Sequence, residues 1–121
     1  MNRLAMIAAL AALAPGVAAA ADLSGAWKIV ANVNDMPVPV ACKFTETGAA
    51  LSGTCGRTDA PETPGAVTGT VDGSTVKWAY DVKFQDMPLH VAYTGTITSD
   101  TAMSGTLDVA GGSGTFTASK Q

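Results

Sequence analysis

Charge is scarce in this sequence. Asp, Glu, Lys and Arg make up 14% of it, with seven basic residues against ten acidic ones. Binding nucleic acid or an anionic membrane takes clustered Lys and Arg, and no such cluster is present. Histidine occurs once, at His90, so a His-based metal cluster is excluded, and two cysteines are too few for a structural zinc site. Cys42 and Cys55 also stand too far apart for a CxxC redox motif. P-loops, dinucleotide fingerprints and the G-x-S-x-G elbow are all missing, so no cofactor is expected. Beyond the N-terminal segment, no apolar run approaches the roughly twenty residues that a membrane-spanning helix needs.

The N-terminal segment is a different matter. Met1-Asn2-Arg3 gives a short basic start, Leu4 to Leu13 is almost wholly apolar, and Val17 to Ala21 ends in small residues. That order is the pattern of a secretory signal peptide, with the cut expected between Ala21 and Asp22. Residues 1–21 are therefore read as a signal peptide and 22–121 as one domain of a periplasmic or secreted, bacterial-type protein. Loss of Arg3 leaves six basic against ten acidic residues in that domain. An even pair of cysteines in an exported protein is most simply a disulfide, here Cys42–Cys55.

Thr, Ser, Gly and Val are abundant, a mixture that suits strands and turns. One short pattern recurs, an apolar residue, a hydroxyl, Gly, a small residue and another apolar one. It reads Leu23-Ser24-Gly25-Ala26-Trp27, Leu51-Ser52-Gly53-Thr54-Cys55, Val67-Thr68-Gly69-Thr70-Val71, Tyr93-Thr94-Gly95-Thr96-Ile97 and Met103-Ser104-Gly105-Thr106-Leu107. Strict alternation puts the apolar residues on one face and the hydroxyls on the other. A longer repeat contains these copies. Trp27 to Asp35-Met36-Pro37 matches Trp78 to Asp86-Met87-Pro88 at a shift of 51, and Leu51-Ser52-Gly53-Thr54 matches Met103-Ser104-Gly105-Thr106 at a shift of 52. The chain therefore reads as a duplicated four-strand unit.

The predicted strands are 24–33, 38–46, 51–56, 65–71, 75–84, 89–97, 102–109 and 113–119. Short links rich in Asn, Asp, Gly and Pro join them in an antiparallel meander. Closing the meander removes exposed edges, so the predicted fold is an all-β, eight-stranded up-and-down barrel, with a β-sandwich as the alternative. A turn at 47–50 sets Cys42 opposite Cys55, and a turn at 72–75 sets Gly69 beside Trp78. A four-residue turn at 85–88 pairs Phe84 with Leu89, Val82 with Val91 and Tyr80 with Tyr93, sets Gly95 on the other side of Trp78, and puts His90 outward opposite Lys83.

In a meander alternate connections share an end. The long loop Gly56 to Pro64 and the two Asp-Met-Pro turns fall at one end, which marks the mouth. The inward glycines either relieve strain where a narrow barrel bends or hollow it for a ligand. The candidate ligand-binding residues are Trp27, Trp78, Tyr80, Tyr93 and Phe84 inside, with Asp35, Met36, Asp86 and Met87 at the rim. No catalytic or metal-ligating residues are assigned.

The sequence Leu23-Ser24-Gly25-Ala26-Trp27, with Gly48 to Cys55 after it, resembles the opening strands of the avidin family. Val76-Lys77-Trp78 and Tyr93-Thr94-Gly95 are loosely similar to its later tryptophan-bearing strands. Gly25-Ala26-Trp27 also matches the early Gly-x-Trp shared by the calycin superfamily, lipocalins included. The resemblance implies an eight-stranded barrel holding a small apolar or aromatic molecule. It does not imply biotin, since avidins line their pocket with more tryptophans and a fuller polar set. The Leu-Ser-Gly-x-Trp start also resembles secreted metalloprotease-inhibitor barrels of Gram-negative bacteria, which act on a protein partner through the N-terminal segment, here Asp22 to Gly25. The expected function is an exported binding protein for a small, largely apolar ligand. A protease-inhibitor-type module and a small barrel isomerase or lyase are the alternatives.

Overall fold

The structure is a computed structural model and describes residues 22–59, 64–84 and 86–121, with Phe84 described by its backbone alone. The expected signal peptide, residues 60–63 of the long loop, and Gln85 lie outside the described residues.

Eight strands follow in order: β1 Gly25–Val33, β2 Met36–Thr47, β3 Ala50–Arg57, β4 Gly65–Asp72, β5 Thr75–Phe84, β6 Met87–Ser99, β7 Ala102–Val109 and β8 Gly112–Lys120. Each pairs antiparallel with its neighbours in sequence, and β8 returns to pair with β1, so the sheet closes into an up-and-down barrel. Alternation decides what lies inside. Along β1 the buried residues are Trp27, Ile29 and Ala31, while Lys28 and Asn32 face water. The outer faces of β3, β4, β7 and β8 carry Thr and Ser in the same rhythm, while the buried residues of the core are aliphatic, aromatic or sulfur-bearing.

The duplication is written into the register. Trp27 pairs with Cys42 and Val33 with Met36 in β1–β2. The equivalent pairs in β5–β6 are Trp78 with Tyr93 and Phe84 with Met87, every position displaced by the same 51 residues seen in the sequence. The step from 51 to 52 also has a structural counterpart. The β6–β7 ladder carries a register shift between Ile97 and Ser99, where β2–β3 runs without one. One extra residue in the second half is absorbed as a β-bulge, and the strands beyond it stay in phase.

The register at 85–88 corrects the four-residue turn expected there. Both Asp-Met-Pro hairpins turn in two residues, and Asn34, Asp35 and Asp86 have positive φ of 52°, 62° and 64°. Positive φ at both central residues belongs to the tight turn that matches the twist of paired strands, and Asn and Asp tolerate it. Val82 therefore pairs with Leu89 and Tyr80 with Val91, while Gly95 pairs with Val76, leaving Tyr93 as the neighbour of Trp78 opposite Gly69. His90 sits opposite Asp81, not Lys83, at 2.8 Å between Nδ1 and the carboxylate. The slip is of two residues, an even number, so every side chain stays on its expected face. Proline argues against strand, yet both prolines here are accommodated by position. Pro37 and Pro88 pair only with β1 and β5, because the β2–β3 ladder starts at Val40 and the β6–β7 ladder at Val91. A missing N–H on that unpaired side costs no ladder bond.

One end of the barrel is sealed. Leu23, which precedes β1, is fully buried there. Its N–H donates to Glu46 Oε1 at 2.9 Å, and its carbonyl accepts from Trp27 Nε1 at 2.9 Å. Ser24 Oγ accepts from the Glu46 N–H, and Lys120 Nζ donates to the Asp22 carbonyl. The second tryptophan is held differently. Trp78 Nε1 is buried without a hydrogen-bond partner among the described residues, and its ring lies stacked 4.6 Å from Tyr93 with Phe44 and Phe116 edge-on. Each such ring pair contributes about 0.5–1.5 kcal/mol beyond area burial.

Candidate functional site

Cys42 and Cys55 face each other across β2 and β3 and form a disulfide, with Cα atoms 4.1 Å apart and both residues buried. It staples the wall at the level of Trp27, its partner across β1. At and below this level Leu23, Trp27, Phe44, Leu51, Val76, Trp78, Met103 and Phe116 fill the interior. The inward glycines serve that packing. A Cβ on Gly95 would stand 2.7 Å from Phe116 Cζ, so glycine is what lets the ring lie there. A Cβ on Gly69 would run into the backbone of Lys77 and Trp78. Of the two roles open to the glycines, relief of crowding in a narrow barrel is the one their neighbours indicate.

Above that level the barrel is hollow. A cavity of about 220 Å³ opens toward the end where the two Asp-Met-Pro hairpins stand. Its wall is almost entirely aliphatic: Ala31 and Val33 of β1, Val38 and Val40 of β2, Val82 of β5, Leu89 and Val91 of β6, Leu107 and Val109 of β7. Arg57 closes one side of the rim, and Tyr80 and Tyr93 form the floor. The two tyrosine hydroxyls are 3.0 Å apart and buried, and the rings stack at 5.9 Å. The column Trp78–Tyr93–Tyr80 thus rises from the packed half and ends as the base of the hollow.

Of the residues expected to touch a ligand, Tyr80 and Tyr93 line the cavity. Trp27 and Trp78 do not: they lie deeper, 1% and 2% exposed, as the packing beneath it. Asp35, Met36, Asp86 and Met87 are exposed on the rim and are not part of the lining. Met36 and Met87 are each 66% exposed. They stand on the β1–β2 and β5–β6 hairpins, half the strand order apart around the mouth. Phe84 is placed by its backbone opposite Met87 at the same rim, and its ring falls outside the described side chains. Sequence patterning did not single out Ala31 and Arg57. By residue type Ala31 is unremarkable, and Arg57 resembles a loop charge. The signal that finds them is alternation: Ala31 is the smallest inward side chain of β1 after Gly25, and Arg57 is an inward position two after Cys55.

Burial raises the Tyr93 hydroxyl above the ordinary tyrosine value of 10.0, and the hydrogen bond with Tyr80 opposes this in part. Tyrosine takes on charge when it loses its proton. A raised value therefore opposes ionisation of the folded state, and stability falls as the pH climbs from 10 toward the raised value. The chain has two tyrosines, and both belong to this pair. Tyrosinate absorbance therefore reports on the cavity floor alone. Ionisation of Tyr93 is expected to begin above pH 10 and to coincide with loss of near-ultraviolet dichroism. Tyr93 titrating at its ordinary value in a protein still folded would show the floor to be wet and open.

No family model and no curated protein matches the chain. Among solved structures it is similar to a redesigned β-barrel, with a TM-score of 0.67 over 82% of this chain and 91% of that one, at 18% identity. At that identity the likeness establishes the eight-stranded antiparallel barrel and nothing of function.

Proposed function

We propose that this is an exported, calycin-like binding protein for a small, largely apolar molecule held in the mouth half of its barrel. The observation that carries the reading is the hollow itself. A core built to stabilise the fold alone is filled to crystal-like density, and a void of this size forfeits contacts on every wall. An engineered cavity of about 150 Å³ with similar walls takes up benzene. The present one, at about 220 Å³, suits a single ring with a short substituent or a short branched chain. The early Gly-x-Trp, now at the start of β1 with Trp27 against the sealed end, supports the calycin-like part of the reading. The basic, apolar and small-residue order of residues 1–21 supports export.

Two observations weigh against the alternatives. An inhibitor acting through its N-terminal segment needs that segment free to enter a partner, whereas Asp22, Leu23 and Ser24 are engaged in sealing the barrel. A barrel isomerase or lyase needs its acid and base at the cavity, whereas Asp35 and Asp86 stand exposed on hairpin turns outside the lining. Native mass spectrometry of protein taken from its own host tests the proposal. A fraction carrying one extra small-molecule mass is expected, released by mild collisional activation. A homogeneous apo mass, together with failure to take up any of a panel of small aromatic and branched aliphatic compounds, would remove it.

A further inference from the structure

One residue in the cavity lining carries a charge. Arg57 is the last residue of β3, two positions beyond the buried Cys55, and pairs with the buried Val40 of β2. Alternation therefore directs it inward at the rim, where its side chain remains 32% exposed. Among the described residues Asp59 engages it. Arg57 Nε donates to Oδ1 at 2.8 Å and an Nη donates to Oδ2 at 2.9 Å, two parallel bonds of the kind a guanidinium makes with a carboxylate. The bonds from Arg57 hold the Asp59 carboxyl below the usual aspartate range. Asp59 is 41% exposed and stands outside the cavity lining, in the loop that follows β3. The rim thus already presents a carboxylate seat beside an apolar hollow.

We propose that the cavity's ligand is a small carboxylic acid. Its apolar body lies against the valine wall, and its carboxylate sits on Arg57 in the place that Asp59 otherwise holds. The inference rests on the binding role proposed above and names the class of ligand. The exchange is close to even in bond terms, since one carboxylate replaces another on the same fork. Asp59 returns to water at little cost because it is already substantially exposed. The incoming carboxylate has an advantage that Asp59 lacks, because it arrives tethered to an apolar group that the cavity buries. Arginine suits the task better than lysine, because its planar donors fix the direction of the acid group and with it the orientation of the ring or chain below. A cationic ligand would meet the Arg57 charge at the rim.

Isothermal titration at pH 7 with 3-phenylpropanoate and 3-phenylpropan-1-ol tests this, since the two share a body and differ in the head group. In Asp59→Asn, where Asp59 no longer competes for Arg57, the acid is expected to bind about tenfold tighter than the alcohol, the gain from a charge-assisted pair over a neutral one. In the wild type the preference is smaller, reduced by the displacement of Asp59. Arg57→Gln should bring the acid down to the alcohol's affinity and leave the alcohol nearly unchanged. Asp59→Asn removes the competing carboxylate, so it should tighten the acid several-fold and not the alcohol. Should Arg57→Gln fail to fold, the wild-type comparison and Asp59→Asn still decide the matter. Equal binding of acid and alcohol by Asp59→Asn would overturn the carboxylate while leaving the apolar cavity in place. Survival of the acid's preference in Arg57→Gln would do the same. If neither probe binds, the binding role falls and this inference falls with it.

Discussion

Replacing both Cys42 and Cys55 with alanine is expected to lower stability by about 3 kcal/mol. The bridge closes a loop with a sequence separation of 13, and constraint of the unfolded chain by a loop of that length is worth roughly 3 kcal/mol. Loss of the buried sulfurs adds to this, because both residues are buried against the packed half of the barrel. For a domain of about 100 residues each kcal/mol moves the melting temperature by roughly 4–8 °C, so a fall of around 15 °C should be seen. Thermal melts of the wild type with and without reductant, beside the double-alanine variant, check it. Reductant should move the wild type most of the way to the variant and leave the variant unmoved. A wild type that melts at the same temperature in both conditions would show the bridge to be incidental to the wall it joins.

The disulfide was legible in the sequence because it follows from parity and one tight turn. Once the turn at 47–50 is placed, Cys42 and Cys55 must face each other, and observed and expected register agree. The eight strands and their inward faces were legible for the same reason. Period-two alternation is a local property, and the repeat supplies it twice. What failed was the extent of the turn at both Asp-Met-Pro hairpins, and with it the register of β5 against β6, and the cause is particular. Local pattern assigns Met36-Pro37 and Met87-Pro88 to turns, because proline interrupts a ladder. In the barrel those residues lie where β2 and β6 have one neighbour, a fact of tertiary pairing that no local pattern encodes. Two-residue turns with positive φ at Asn34 and Asp35 were available to the sequence all along. The candidate site was half legible. Tyr80 and Tyr93 could be placed inside from alternation alone. Whether an inward residue packs or lines a void depends on its height in the barrel and on the volumes facing it. Trp27 and Trp78 sit at the level of Phe44, Phe116 and Leu23, which fill the space, while Tyr80 sits one layer higher among valines. The distance along the strand from each aromatic to its hairpin held that information, and it became readable only once the turns were known to be short.

The cavity makes a prediction in which stability and binding move in opposite directions. Ala31 is 1% exposed, lies on β1 opposite Val38 and Phe116, and contributes the smallest side chain to the lining. Ala31→Leu adds three carbons that have space only in the hollow. In a packed core such an insertion costs about 1–3 kcal/mol through strained rotamers and displaced neighbours. In a core with a void it gains contacts instead, and cavity filling commonly adds about 0.5–2 kcal/mol. The variant is therefore expected to melt roughly 4–8 °C higher for a gain near 1 kcal/mol. The same carbons occupy volume that a ligand needs, so binding of a small apolar probe should fall by about tenfold to a hundredfold, the equivalent of 1–3 kcal/mol of overlap. Calorimetric melting and probe titration on the same preparation read both quantities, and the raised melting temperature certifies that lost binding is not lost folding. A lower melting temperature would mean the barrel is filled at this level. A higher one with binding intact would move the ligand out of the barrel, to the rim where Met36 and Met87 stand exposed. Only the pairing of greater stability with lost binding fits a hollow kept open at the expense of the fold, because a void that costs stability and admits nothing has no physical reason to persist beside side chains able to fill it.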